Sequence, residues 1–189
     1  MDKRLPYKLL FAAALASAVL PSYKVFAADP LQVKAVREYV IKNGEAEDIK
    51  GGKSHFLVLD GAQVNYERPE FDNNPGYASK IGLQTATSPN PNSKEILFVT
   101  IRDSYKETAN GEEYNLGIDT IMRDGGNNYD GNLDGRVDEA RMERSLHHPK
   151  GLVEKIKGDY NLKREATRTE LQNLYDKIIA GTHKFIEKK

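Results

Sequence analysis

The sequence predicts an α+β fold, an antiparallel meander of about five strands flanked by an N-terminal helix and a long C-terminal helix, with an acidic loop after the last long strand. Three observations carry this expectation. Apolar residues recur at helical spacing near the two ends of the chain, and they alternate with polar ones through the middle. Turn residues, rather than long connections, separate the alternating runs, which leaves no room for crossover helices between strands.

The elements follow in order. From Asp29 to Asn43, Leu31, Val33, Val36, Tyr39 and Val40 fall mostly on one helical face. Asp29 suits the cap, Pro30 the first turn, and Gly44 the end. Between His55 and Arg123 the periodicity changes to two. "HFLVLDGAQVNY" places Asp60-Gly61 between apolar runs, the chemistry of a two-residue hairpin turn. "SKIGLQTA" alternates Ile81, Leu83 and Thr85 on one face, and "KEILFVTIRDSYKE" is joined to "EEYNLGIDTIMRD" through Asn110-Gly111, a second hairpin signal. In that last run Tyr114, Leu116, Ile118, Thr120 and Met122 share a face, so a sheet buried on one side is expected. The segment 66–78, with two prolines and three aromatic residues, reads as a surface loop whose Tyr66, Phe71 and Tyr77 pack back on the sheet. Residues 139–160 fit either a short helix from Glu139 to Leu146 or a hairpin turning at "HHPKG". Over 162–187, Ala166, Leu171, Leu174, Tyr175, Ile178, Phe185 and Ile186 form an apolar stripe that should lie across the buried face, with Gly181 a weak point.

Composition limits what such a fold does. Lys3, Arg4 and Lys8 precede an uncharged run from Leu9 to Leu20, and "VFA" at 25–27 supplies the residues a signal peptidase reads. Residues 1–27 are therefore expected to be a secretory signal peptide. The run is too short for a spanning helix, which needs about 20 apolar residues. The protein is then exported to the periplasm, cell surface or medium, with 28–189 as one domain containing the acidic loop at 124–138. Without residues 1–27 the chain loses four basic and one acidic residue and carries a net charge of about −3, which argues against nucleic acid as a partner. The chain has no Cys, so disulfides, thiolate zinc sites, a Cys nucleophile and a lipidated Cys are excluded.

The acidic loop carries the functional signal. In "DGNLDGRVDEA", Asp130, Asn132 and Asp134 stand on alternate residues, Gly135 permits a sharp turn, Val137 suits an anchor in the core, and Asp138 adds another oxygen. Calcium takes 6–8 oxygen ligands at 2.3–2.6 Å, and side chains so spaced in a tight loop can converge on one ion, with the Arg136 carbonyl as a further ligand. The pattern D-x-N-x-D-G-x-V-D resembles the calcium loops of EF-hand proteins, dockerins and thrombospondin type 3 repeats. The resemblance spans about a dozen residues and implies a bound calcium ion, with no fold for the remainder. It departs from the EF-hand where that family ends in a bidentate Glu, because Arg141 stands there. Glu139 or Glu143 would have to substitute, or Asp124, Asn127, Asn128 or Asp119 from the incoming chain would complete the shell. An incomplete shell implies weak affinity, of order 10⁻⁴ to 10⁻³ M. The alternative is a solvated turn in which Asp and Asn cap their own backbone.

No G-x-S-x-G, P-loop, H-E-x-x-H or G-x-G-x-x-G motif is present, so no catalytic residue is nominated. Three functions remain in view: a small exported protein in which calcium orders a surface loop, a calcium-dependent interaction or adhesion module with a protein partner, and a small exported hydrolase. The first is favoured.

Overall fold

The structure, a computed structural model, describes residues 27–66, 78–109, 112–126, 132–147, 153–154 and 164–189. Helix α1 (Pro30–Asn43) leads into strands β1 (Glu45–Ile49), β2 (Gly52–Asp60), β3 (Ala78–Thr87), β4 (Ile96–Ala109), β5 (Glu112–Gly125), β6 (Glu139–His147) and β7 (Val153–Glu154), and helix α2 (Arg164–Glu187) closes the chain. The strands form one sheet in chain order, each antiparallel to the next. The α+β class and the two terminal helices are as expected. Seven strands stand where about five were expected: β1 is uniformly exposed and has no burial period to reveal it, β6 was one of two alternatives, β7 has only two residues, and the run after Asp60 opens as a 3-10 turn rather than a strand.

Two turns differ from expectation. Asp60-Gly61 is not a hairpin. The Asp60 side chain accepts from Ala62 N at 2.9 Å while Gln63 Oε1 accepts from Asp60 N at 3.0 Å, a reciprocal cap that starts a 3-10 turn over Gly61–Val64. The actual hairpin lies one strand earlier, where Ile49 pairs with Gly52 and Gly51 takes φ +88°. At the other ambiguous segment, residues 139–147 are strand rather than helix, and Leu146 and His147 pair with Glu154 and Val153, as the hairpin alternative required. In the long β4–β5 pair Ala109 lies opposite Glu112, and the turn expected at Asn110-Gly111 lies outside the described residues. Most of the 66–78 loop also lies outside them, although Tyr66 is buried.

Strand alternation builds the inner face. Leu59 pairs with Ile81, Leu57 with Leu83, Ile81 with Ile101, Leu83 with Val99, and Val99 with Met122, so the register lines buried side chains into rows across the sheet. The helices cover this face. Val33, Val36 and Val40 of α1 are fully buried, as are Tyr175, Ile178 and Ile179 of α2, and all join one apolar cluster with the sheet. Each large side chain so buried is worth about 1.5–3 kcal/mol. Leu31, assigned to the buried stripe from its spacing, is instead 75% exposed, because it sits in the first turn beside the cap and off the line of Val33, Val36 and Val40. Gly181 has a use beyond weakening a helix: a Cβ there would lie 2.3 Å from the Val64 carbonyl oxygen, so glycine lets α2 pass against the 3-10 turn.

Hydrogen bonds fix α1 more firmly than its apolar face alone would. Arg37 donates to Thr85 Oγ1 at 3.1 Å and to the Ala86 carbonyl at 3.3 Å, and pairs with Glu95 at 2.9 Å. The outer face is polar in part, with Arg102 bidentate to Asp119 at 2.7 Å for both bonds and Lys80 paired with Asp60 at 3.0 Å. Glu45, Glu47 and Asp48 on the exposed strand β1 place charge along the sheet edge, which discourages pairing with another chain.

Candidate functional site

The site grows from the end of β5. Continuing the alternation of Thr120 and Met122 by two residues carries Asp124 inward, directly opposite Leu97, where it is 0% exposed. A carboxylate there needs donors. Asp124 Oδ2 accepts from Gly135 N at 3.0 Å and from the Tyr175 hydroxyl at 2.9 Å, and Oδ1 accepts a longer contact from Asp134 N at 3.4 Å. Burial dominates even so, and pushes the Asp124 carboxyl up to about 7, against the lowering effect of the Tyr175 and backbone hydrogen bonds. The same burial, with Asp124 beside it, raises the Tyr175 hydroxyl well above its usual range.

β5 ends at Gly125, and beyond Gly126 the described residues resume at Asn132. Leu133 is buried in the core and Val137 packs against it, so two apolar side chains hold the segment down where one was expected. Between them Asp134 folds over its own backbone, accepting from Arg136 N at 2.9 Å. Gly135 takes φ +85°, and a Cβ there would meet the Ala28 carbonyl oxygen at 1.9 Å. Glycine is required on both counts. Asp138 then closes the return, its Oδ2 accepting from Gly125 N at 2.9 Å while its own N donates to the Arg123 carbonyl at 2.8 Å.

Helix α2 seals this corner with one polar side chain. Gln172 accepts from Val137 N at 2.9 Å and donates to the Gly135 carbonyl at 2.8 Å and to Asp176 at 2.7 Å. Gln172, Tyr175 and Asp176 are spaced i, i+3 and i+4, so they share one helix face toward the segment. From its spacing Tyr175 falls on the apolar stripe, and the same spacing does not single out Gln172 and Asp176. The available signal was the polar pair flanking a buried Tyr within an otherwise apolar face.

Of the residues nominated as metal ligands, the structure brings Asp124, Asp134, Arg136 and Asp138 into one turn. It turns Asp124 toward backbone donors and Tyr175, so that it braces the turn. Glu139 pairs with Arg123 at 3.1 Å. Asp119 lies on the opposite face of β5, held by Arg102, and is not brought to the loop. Asn132 is exposed. Asp130, the first residue of the calcium pattern, and Asn127 and Asn128 lie outside the described residues. Among the described residues no three His, Asp or Glu side chains converge as a metal-binding group, and no helix is long and apolar enough to cross a membrane. No family model, curated protein or solved structure matches the chain.

Proposed function

We propose that the protein is a small exported calcium-binding protein, in which the segment from Asp130 to Asp138 holds the ion and calcium orders a surface turn on a rigid sheet. The observation that carries this reading is the alternate-residue spacing of Asp130, Asn132 and Asp134, followed by a glycine at positive φ and a half-buried valine. The surrounding hydrogen bonds favour it as well. Leu133, Val137, Asp124 and Gln172 fix both the course of the backbone and the return at Asp138, so an ion would meet a partly formed turn rather than an unstructured tail. Asp130, Asn132, Asp134 and the Arg136 carbonyl are the ligands assigned here, with Asp138 acting directly or through water.

Clustered carboxylates repel, so calcium stabilises the folded state by neutralising them and by mass action. Isothermal titration of the chain with calcium tests the reading. Binding with Kd of order 10⁻⁴ to 10⁻³ M is expected, together with a raised melting temperature, and both are expected to vanish in Asp130→Ala/Asp134→Ala. Absence of binding in the unsubstituted chain would leave the segment as a self-capped turn and sink the proposal.

A further inference from the structure

The first of the described residues are well held. Ala28 is 7% exposed, its N–H donates to the Gly135 carbonyl at 3.2 Å, and the same amide lies near the Asp176 carboxyl and acts to lower its pKa. Asp176 receives Gln172 Nε2 in addition, yet among the described residues no cation pairs with it, and burial raises its carboxyl above the ordinary range. Immediately upstream, Ala27 lines a cleft of about 280 Å³ with Arg136, Val137, Arg168, Thr169 and Gln172. The bond between Ala27 and Ala28 is the one that the leader pattern marks for cleavage.

We propose that Ala27–Ala28 is a processing site whose new terminus is itself a structural ligand: the Ala28 ammonium docks on the Gly135 carbonyl and the Asp176 carboxylate and locks the acidic turn to α2. In the hydrolysis one water is consumed. Its oxygen joins the Ala27 carbonyl carbon, the C–N bond breaks, and Ala27 departs as a carboxylate with residues 1–26. The Ala28 nitrogen gains two protons, one directly from the water and one released as the new carboxylic acid ionises. A neutral donor with one hydrogen becomes a cation with three, placed where two acceptors already converge. A charge-assisted hydrogen bond is roughly twice as strong as a neutral one, so processing tightens the contact through Gly135 to the candidate calcium turn. The proposal rests on reading residues 1–27 as an export leader, and it needs no calcium.

The test has two parts. The full chain is expressed in an exporting bacterial host and the product's N-terminus is sequenced, with Ala28 expected. The chain starting at Ala28, which contains every element of the described fold, is then melted in chelator beside a form extended by Gly-Ala, each with Asp176 and with Asp176→Asn. The substitution is expected to lower Tm by about 4 °C more in the free-terminus form than in the extended one. Because Asp176→Asn can fail to fold, α-N-acetylation of the free-terminus chain provides a second readout, and a comparable fall in Tm is expected. A mature chain beginning elsewhere would overturn the leader reading and the docking together. An Ala28 terminus with equal shifts in both forms, or an acetylated chain of unchanged Tm, would overturn the docking alone.

Discussion

The centre of the sheet and the corner where β5 meets α2 are both buried, but they are held by different physics. At the centre, Ile81, Leu83, Val99 and Ile101 are fully buried in register, and no single atom decides the packing. At the corner, Asp124, Gly135, Gln172 and Tyr175 are linked by hydrogen bonds of 2.8–3.0 Å, and the loss of one partner leaves a buried polar group under-satisfied. Apolar burial tolerates change in proportion to volume removed, whereas a buried polar network responds to the loss of a single oxygen or proton. The corner is therefore the part of the fold that responds to a change of protonation, while the apolar centre is indifferent to it.

The largest effect should come from the centre. Leu83→Ala removes a fully buried side chain from the middle of the sheet and is expected to cost about 3 kcal/mol in chemical denaturation, independently of pH. A strongly pH-dependent loss would mean that the two regions are not separate.

Next is the titration of Asp124. Its folded pKa is raised, so between pH 4 and 7 the folded state holds a proton that the unfolded state releases, and stability falls as pH rises through that window. The full shift from 3.8 to about 7 corresponds to about 4 kcal/mol at about 1.4 per unit. Relaxation of the turn should reduce the observed loss to about 2 kcal/mol. Measured without calcium, unsubstituted protein should lose this amount relative to Asp124→Asn between pH 4.5 and 7.5. A difference constant with pH would show that the buried carboxyl ionises normally.

Smallest is Tyr175→Phe, which keeps the ring in the core but removes the hydroxyl that donates to Asp124. A loss of about 1.5 kcal/mol is expected at neutral pH, shrinking in acid once Asp124 is protonated. An equal loss at both pH values would assign the cost to packing instead.

The same division explains what the sequence could reveal. Period-two alternation in residues 79–86 and 96–104 and helical spacing at Val33, Val36 and Val40 announced the apolar centre, because burial repeats. The corner does not repeat. Asp124 was visible only by extending the phase of Thr120 and Met122 past the last apolar residue, and a carboxylate in that phase reads as the end of a strand rather than as its buried continuation. Gln172 and Asp176 belong to a helix whose exposed face is polar anyway, and the turn residues that Gln172 bonds, Gly135 and Val137, lie 35 or more residues away in sequence. Asp60-Gly61 shows the converse. Its residue types suit two turns equally, and the choice fell to Gln63, whose side chain completes the reciprocal cap.

One consequence of the helix arrangement concerns the order of assembly. Every strand pairs only with its chain neighbours, so the sheet can be laid down from one end to the other as synthesis proceeds. The lid over its apolar face is made of the first helix and the last, which touch each other across the whole length of the chain between them. The ribosome must therefore finish the final turns before the interior can be sealed. Until then the apolar face of the sheet stays open on the side that α2 covers.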